Sequence, residues 1–225
     1  MNYLYLLLDL GSLSIPFIYS FHPKLQFYKH WKSLFIAIII TMCFYVPWDI
    51  IFTHYGFWGF NDAYFLKYRF FNLPIEEWLF FICIPYACVF THYSLLYYFP
   101  NMSVSKKTTK TISYISLAIL SMTLIFAYDK WYTLVNFIYA IGLILFVLKF
   151  NIKLLQEYYV TFLVMLIPFF IVNGLLTGSC IENEVVWYDN SQNLAFRIFT
   201  IPIEDMVYAF TLILTNLYLM KRIKL

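Results

Sequence analysis

The chain predicts an all-α fold, a polytopic membrane helix bundle of about seven transmembrane helices in two parallel three-helix repeats joined by a linker span. Three observations lead there. Hydrophobic residues make up 63% of the 225 and charged residues only 12%, about half the charge of a soluble domain. Seven segments stay mostly apolar for the length, about 20 residues, that a bilayer crossing needs. Finally, Thr200-Ile-Pro-Ile-Glu-Asp205 restates Asn72-Leu-Pro-Ile-Glu-Glu77 at a spacing of 128 residues.

The spans fall at about 2–20, 33–53, 74–98, 112–128, 131–149, 158–177 and 200–220. The first starts without a basic stretch, is interrupted by Asp9 and is followed by no small-residue cleavage site, so it reads as a retained span rather than a signal peptide. The second ends on Val46-Pro-Trp-Asp49, and the sixth on Ile171-Val-Asn-Gly174. Of the connections, only 54–72 and 178–198 are long enough to hold structure of their own. They carry Phe57-Trp-Gly-Phe-Asn-Asp62 and Val186-Trp-Tyr-Asp-Asn190. The third and seventh spans open on the Pro-Ile-acid-acid motif. The extra fourth span makes the second set run in the same direction as the first, about an axis along the membrane normal. The expected division is 1–99 for the first repeat, 100–130 for the linker helix and 131–225 for the second repeat.

Lysine and arginine set the orientation. With the N-terminus outside, the cytoplasmic side carries Lys24, Lys29, Lys32, Lys106, Lys107, Lys110, Lys149, Lys153, Lys221, Arg222 and Lys224. The outer side carries Lys67, Arg69, Lys130 and Arg197. The expectation is a multi-pass protein of the cytoplasmic (inner) membrane, N-terminus outside and C-terminus in the cytoplasm. A net charge of +3 gives no reason to expect a nucleic-acid partner.

The paired acids are the candidate chemistry. Asn72 and Thr200 read as helix N-caps, and carboxylates in a first turn complement the helix dipole, so the acids fit a purely structural role. One acid would suffice for that, and ionisable groups at membrane depth are costly. Successive helical residues point about 100° apart, so one acid of each pair can face the bundle. Glu76 and Glu204 are assigned as the inward members, supported by Glu77 and Asp205. Asp49 joins them as a candidate, with Asn173 at the matching place of the second half; its alternative is an interfacial side chain. Asp9, mid-helix, has no counterpart in the fifth span.

Aromatic residues form 23% of the chain; many belong to interfacial belts. Trp48, Trp58, Trp78, Trp187, Tyr188 and Tyr208 cluster near the acidic motifs and are the candidate substrate-binding set. A carboxyl in an apolar pocket holds its proton and can deliver it, while aromatic faces stabilise a cation away from water. That pairing suits protonation of an alkene. His54 and His92 lack helical metal-ligand spacing and the four cysteines follow no metal or redox pattern, so no metal is expected. No Gly-x-Gly-x-x-Gly or phosphate-cradling loop occurs, so no cofactor is expected either.

These motifs resemble the small membrane lycopene cyclases of bacteria, archaea and fungi. The tandem Pro-Ile-Glu-Glu and Pro-Ile-Glu-Asp spans, Val46-Pro-Trp-Asp49, the Gly56-Phe-Trp58 and Val186-Trp-Tyr188 loops and the parallel repeat all carry the likeness. It covers nearly the whole chain, with two halves that are separate subunits in some bacteria fused here. The resemblance implies an isomerase that cyclises the linear ends of lycopene, or a related acyclic carotenoid, to β-type ionone rings without net redox change. By matching position, Glu76 and Glu204 would be proton donor and acceptor in either order. Other membrane enzymes of carotenoid biosynthesis are implied neighbours. Asp205 stands where the first motif has Glu77, a departure in the supporting acid. Two other readings fit tandem repeats with buried acids: a proton-coupled transporter, and a carotenoid-binding subunit without turnover.

Overall fold

A computed structural model describes residues 3–223; Lys224, counted above on the cytoplasmic side, and the first residues of the first expected span and repeat lie outside them. Seven helices follow in order: α1 (Leu4–Tyr19), α2 (Trp31–His54), α3 (Ile75–Tyr98), α4 (Lys106–Phe126), α5 (Trp131–Phe150), α6 (Ile152–Leu176) and α7 (Ile203–Arg222). The last six are long and apolar enough to cross a membrane, and α1 is a shorter apolar helix of 16 residues. The chain is an integral membrane protein of helical class, as its composition requires.

Two helices begin earlier than apolarity alone predicts, because capping extends them into polar sequence. The Ser105 side chain accepts from the Thr108 N–H and starts α4 six residues before the expected span. Asn151 does the same for α6 through the Leu154 N–H. Helices α2, α3 and α6 run on through Pro47, Pro85 and Pro168, which neighbouring helices make tolerable within a bundle.

The two long connections hold structure that the all-helical reading leaves blank. Strand β1 (Trp58–Phe60) lies in the first, followed by the hairpin β2 (Arg69–Phe70) and β3 (Leu73–Pro74). The second repeats this with β4 (Val186–Tyr188), β5 (Arg197–Ile198) and β6 (Ile201–Pro202). The hairpins turn tightly, with Phe71 and Asn72 both at positive φ in the first and Phe199 in the second. Asn72 is therefore a turn residue and not an N-cap. Thr200 is not a cap either; its hydroxyl bonds to Thr177 and Ser179 at 2.8 and 2.6 Å. The residues preceding α3 and α7 are Pro74 and Pro202.

Strands β1 and β4 pair antiparallel, Trp58 with Tyr188, Gly59 with Trp187 and Phe60 with Val186. Matched segments of the two halves thus meet around a pseudo-two-fold axis at Gly59–Trp187. The bonds beside it are mirrored: Asn61 N–H donates to Val185 O and Asp189 N–H to Phe57 O, both at 2.9 Å. Arg69 closes its hairpin on Asn72 O and Asp62, and Arg197 closes its own on Thr200 O and Asn190. Both long connections therefore sit at one end of the bundle, as parallel repeats demand. In each half the first helix packs along the third (α1 on α3, α5 on α7), while the second crosses to the other half (α2 on α7, α6 on α3). Helix α4 lies outside, against α5 and α6.

The axis contact is tight. A β-carbon at Gly59 would lie 2.3 Å from Trp187 Cζ2, so Gly59→Val should push the indole off the strand pair. Over-packing of this kind costs about 1–3 kcal/mol. The expected result is a lower melting temperature in detergent and a red-shifted Trp187 emission, isolated by subtracting the spectrum of Trp187→Phe.

Candidate active site

The first turns of α3 and α7 carry all four motif acids, and a single residue step, about 100° of helical rotation, separates their fates. Glu76 and Glu204, expected to face inward, are buried but bond toward the connections. Glu76 Oε1 accepts from the Leu66 N–H at 2.8 Å, and Glu204 Oε1 from the Leu194 N–H at 2.7 Å. Thr133 also donates to Glu204 Oε1 at 2.6 Å. Neither residue lines the bundle's main cavity. Glu77 and Asp205 line it instead. The correction follows from the start of the helix: with Pro74 and Pro202 just outside, the second helical residue points back over the loop and the third points between the helices.

The cavity has a volume of about 670 Å³ and is overwhelmingly apolar, with its carboxyl groups gathered at the end nearest the strand pair. Asp205 accepts three hydrogen bonds there: from Tyr132 at 2.6 Å, Asn173 at 2.8 Å and Tyr188 at 3.0 Å. Glu77 accepts from the Tyr5 hydroxyl. Asp49 Oδ1 accepts from Trp58 Nε1 at 2.6 Å. The Asp49 and Glu77 carboxyls are immediate neighbours, and Asp49 Oδ2 meets no donor among the described residues. Acids from both halves thus share one chamber.

Its aromatic wall is equally specific. Tyr132 stacks on Tyr188 at 5.9 Å, and Trp58 stands edge-on to Tyr132 at 5.0 Å. Burial pushes the Tyr188 phenol well above the usual tyrosine range, and the Asp205 carboxylate pushes the same way; the hydroxyl remains a donor at neutral pH. Of the six expected binding aromatics, Trp58, Tyr188 and Tyr208 line the chamber and the others do not. Trp48 packs behind Tyr208 at 5.1 Å. Trp78 lies against Phe70, and Trp187 covers Gly59 on the outside.

Tyr5 and Tyr132 line the chamber without having been singled out. The repeat contains their signal: each stands near the start of its repeat's first helix, four residues before a polar group. That second residue also corrects the reading of Asp9, whose counterpart is Asn136. Asn136 donates to Glu204 O at 2.7 Å, while Asp9 lies buried near Tyr5 and Glu77.

If Glu76 and Glu204 tie down the connections, their loss should appear in stability. Removing an acceptor from a buried N–H costs about 1–3 kcal/mol, and these two amides are partly buried, so Glu76→Ala and Glu204→Ala should each melt earlier in detergent by an amount toward the lower end of that range. Glu76→Gln and Glu204→Gln, which keep the accepting oxygen, should recover most of that difference.

One comparison with known proteins identifies the chain. The family model described as lycopene cyclase matches it twice, over residues 2–95 and 129–223. No curated protein and no solved structure matches. The two matched regions take in α1, α2 and nearly all of α3, then α5–α7, and leave α4 between them, so the chain belongs to the lycopene cyclase family, with two copies of the family's unit in one polypeptide.

Proposed function

We propose that this lycopene cyclase of carotenoid biosynthesis closes β-type rings by acid–base isomerisation at one composite site, with the Glu77–Asp49 pair as proton donor and Asp205 as acceptor. The single observation that supports it most is the convergence of carboxyl groups from both repeats on the aromatic end of one apolar cavity. Asp205 accepts three hydrogen bonds, more than either acid of the pair, and donors gathered on a carboxyl favour its charged form. Glu77 and Asp49 are adjacent, and two carboxyls in contact away from a cation share a proton.

The reaction balances without a redox partner. The shared proton adds to the terminal double bond of the polyene and leaves a tertiary cation. The neighbouring double bond attacks it, forming the six-membered ring and moving the positive charge onto a ring carbon. The faces of Trp58, Tyr132, Tyr188 and Tyr208 are suited to that cation. Asp205 then takes a neighbouring ring proton, and the choice of proton sets the ring isomer. The proton gained by Asp205 equals the one spent by the pair, so the cycle closes when that proton passes back from Asp205 to the pair within the same chamber. Finished pigment passes to other membrane enzymes of the pathway in this reading. The repeats divide as 1–99 and 131–225 around the α4 linker.

Two measurements test it. In a lycopene-accumulating bacterium, Glu77→Gln and Asp205→Asn should each lower the cyclised fraction about 10²–10⁴-fold, the usual worth of a general acid or base, while Glu76→Gln and Glu204→Gln retain far more. Accumulation of product cyclised at one end in either mutant would favour two independent sites. The outer placement of the long connections is tested by labelling. With the exposed native Cys43 and Cys180 replaced by serine, a cysteine at Asp62 should react with an impermeant maleimide in intact cells and one at Lys106 should not; the reverse pattern overturns the orientation.

A further inference from the structure

Resting on the cyclase reading, we propose that the polyene enters sideways from the lipid through a gap between α1 and α6, and that the symmetry-related gap between α5 and α2 is plugged by Tyr139.

The two gaps should be alike, since α1 and α5 are matched helices, as are α2 and α6. They are not. On the first side the cavity reaches the outer face of the bundle: Leu7, Gly11 and Ile15 of α1 and Pro168 and Ile171 of α6 line it and are themselves exposed. A β-carbon at Gly11 would meet nothing within 4 Å. The neighbouring Ser12 turns its hydroxyl back to Leu8 O at 2.7 Å, so it neither fills the gap nor presents a polar atom to it.

On the other side the spacing that relates Tyr5 to Tyr132, and Asp9 to Asn136, carries Ser12 onto Tyr139. Tyr139 stacks on Phe44 of α2 at 4.9 Å, stands edge-on to Tyr45 at 5.8 Å and is pinned by its hydroxyl to Thr215 at 2.7 Å. An aromatic wedge fills one gap where its counterpart leaves the other open.

The open gap also has the right occupant. From Glu77 to Thr91, both lining residues of α3, the helix rises about 21 Å. A rod about as long as the hydrocarbon core, roughly 30 Å, cannot be enclosed over that length. One end can reach the carboxyls while the rest lies among the lipid tails. The same geometry makes the enzyme hold one end at a time, so a second ring requires release and reversal of the rod.

The test is lycopene conversion per folded protein, with yield and melting temperature measured for each variant. Gly11→Trp should lower conversion at least tenfold, and Ile171→Trp, plugging from the facing rim, should do likewise. Leu10→Trp, one residue from the gap on a face that does not line it, should convert like the unaltered protein. Adding Tyr139→Ala to Gly11→Trp should restore conversion severalfold by opening the second gap. Folded Gly11→Trp and Ile171→Trp that both convert at the unaltered rate would overturn lateral entry here, and absence of rescue would overturn the plug. An unaltered protein that leaves lycopene unchanged would instead sink the cyclase reading.

Discussion

A carboxyl group inside an apolar bundle has to find its hydrogen-bond donors within the protein, because hydrocarbon supplies none. This architecture answers that requirement. Glu76 and Glu204 draw the Leu66 and Leu194 amides onto the helix starts, which holds each long connection over the end of the bundle. Held there, the connections present β1 and β4 to one another, and the pairing locks the two halves in register. The strand pair in turn delivers Trp58 and Tyr188 to the carboxyls of Asp49 and Asp205. Each half thus lends an aromatic donor to the common chamber.

The duplication is nearly symmetric in its backbone and broken in its chemistry. Asp49 is matched by Asn173, and Asp9 by Asn136. In the second half the amides act as donors, Asn173 to Asp205 and Asn136 to the Glu204 backbone. In the first half acids stand in their places, with oxygens that meet no donor among the described residues. One repeat is therefore richer in carboxyl groups and the other in amide donors. A strictly symmetric dimer could not achieve that separation, because both its sites would carry the same groups. A fused pair of repeats can diverge, and the Ser12–Tyr139 difference shows the same freedom applied to the outer wall.

Much of this was legible in the chain. Composition and span length predict the helical membrane bundle, and the repeated Pro-Ile-acid-acid motif predicts both the duplication and the location of the carboxyls. What periodicity missed was the rotation of the helix starts. Glu76 and Glu77 differ by about 100° of helical rotation, and choosing between them requires knowing where Pro74 ends the preceding strand. Asn72 and Thr200 are typical capping residues, but a hairpin claims both positions. The strands are too short, at two or three residues, to show alternation. Tyr5 and Tyr132 were hidden by abundance: among 21 tyrosines, only a helix-by-helix alignment of the halves makes them stand out.

The hairpin tips carry a consequence for how deeply the molecule sits. Phe71 and Phe199 crown β2–β3 and β5–β6 and are 64% and 83% exposed, with Tyr68 and Phe196 exposed near their bases. Aromatic side chains settle at the boundary between headgroups and acyl chains. Two such tips, one on each side of the pseudo-two-fold axis, work as paired floats that fix the draught of the bundle and resist its tilting. The carboxyls begin only a few residues below them. In the proposed cyclisation, ring closure would then fall in a shallow layer just under one leaflet's surface, with the uncyclised tail of the pigment trailing toward the opposite leaflet.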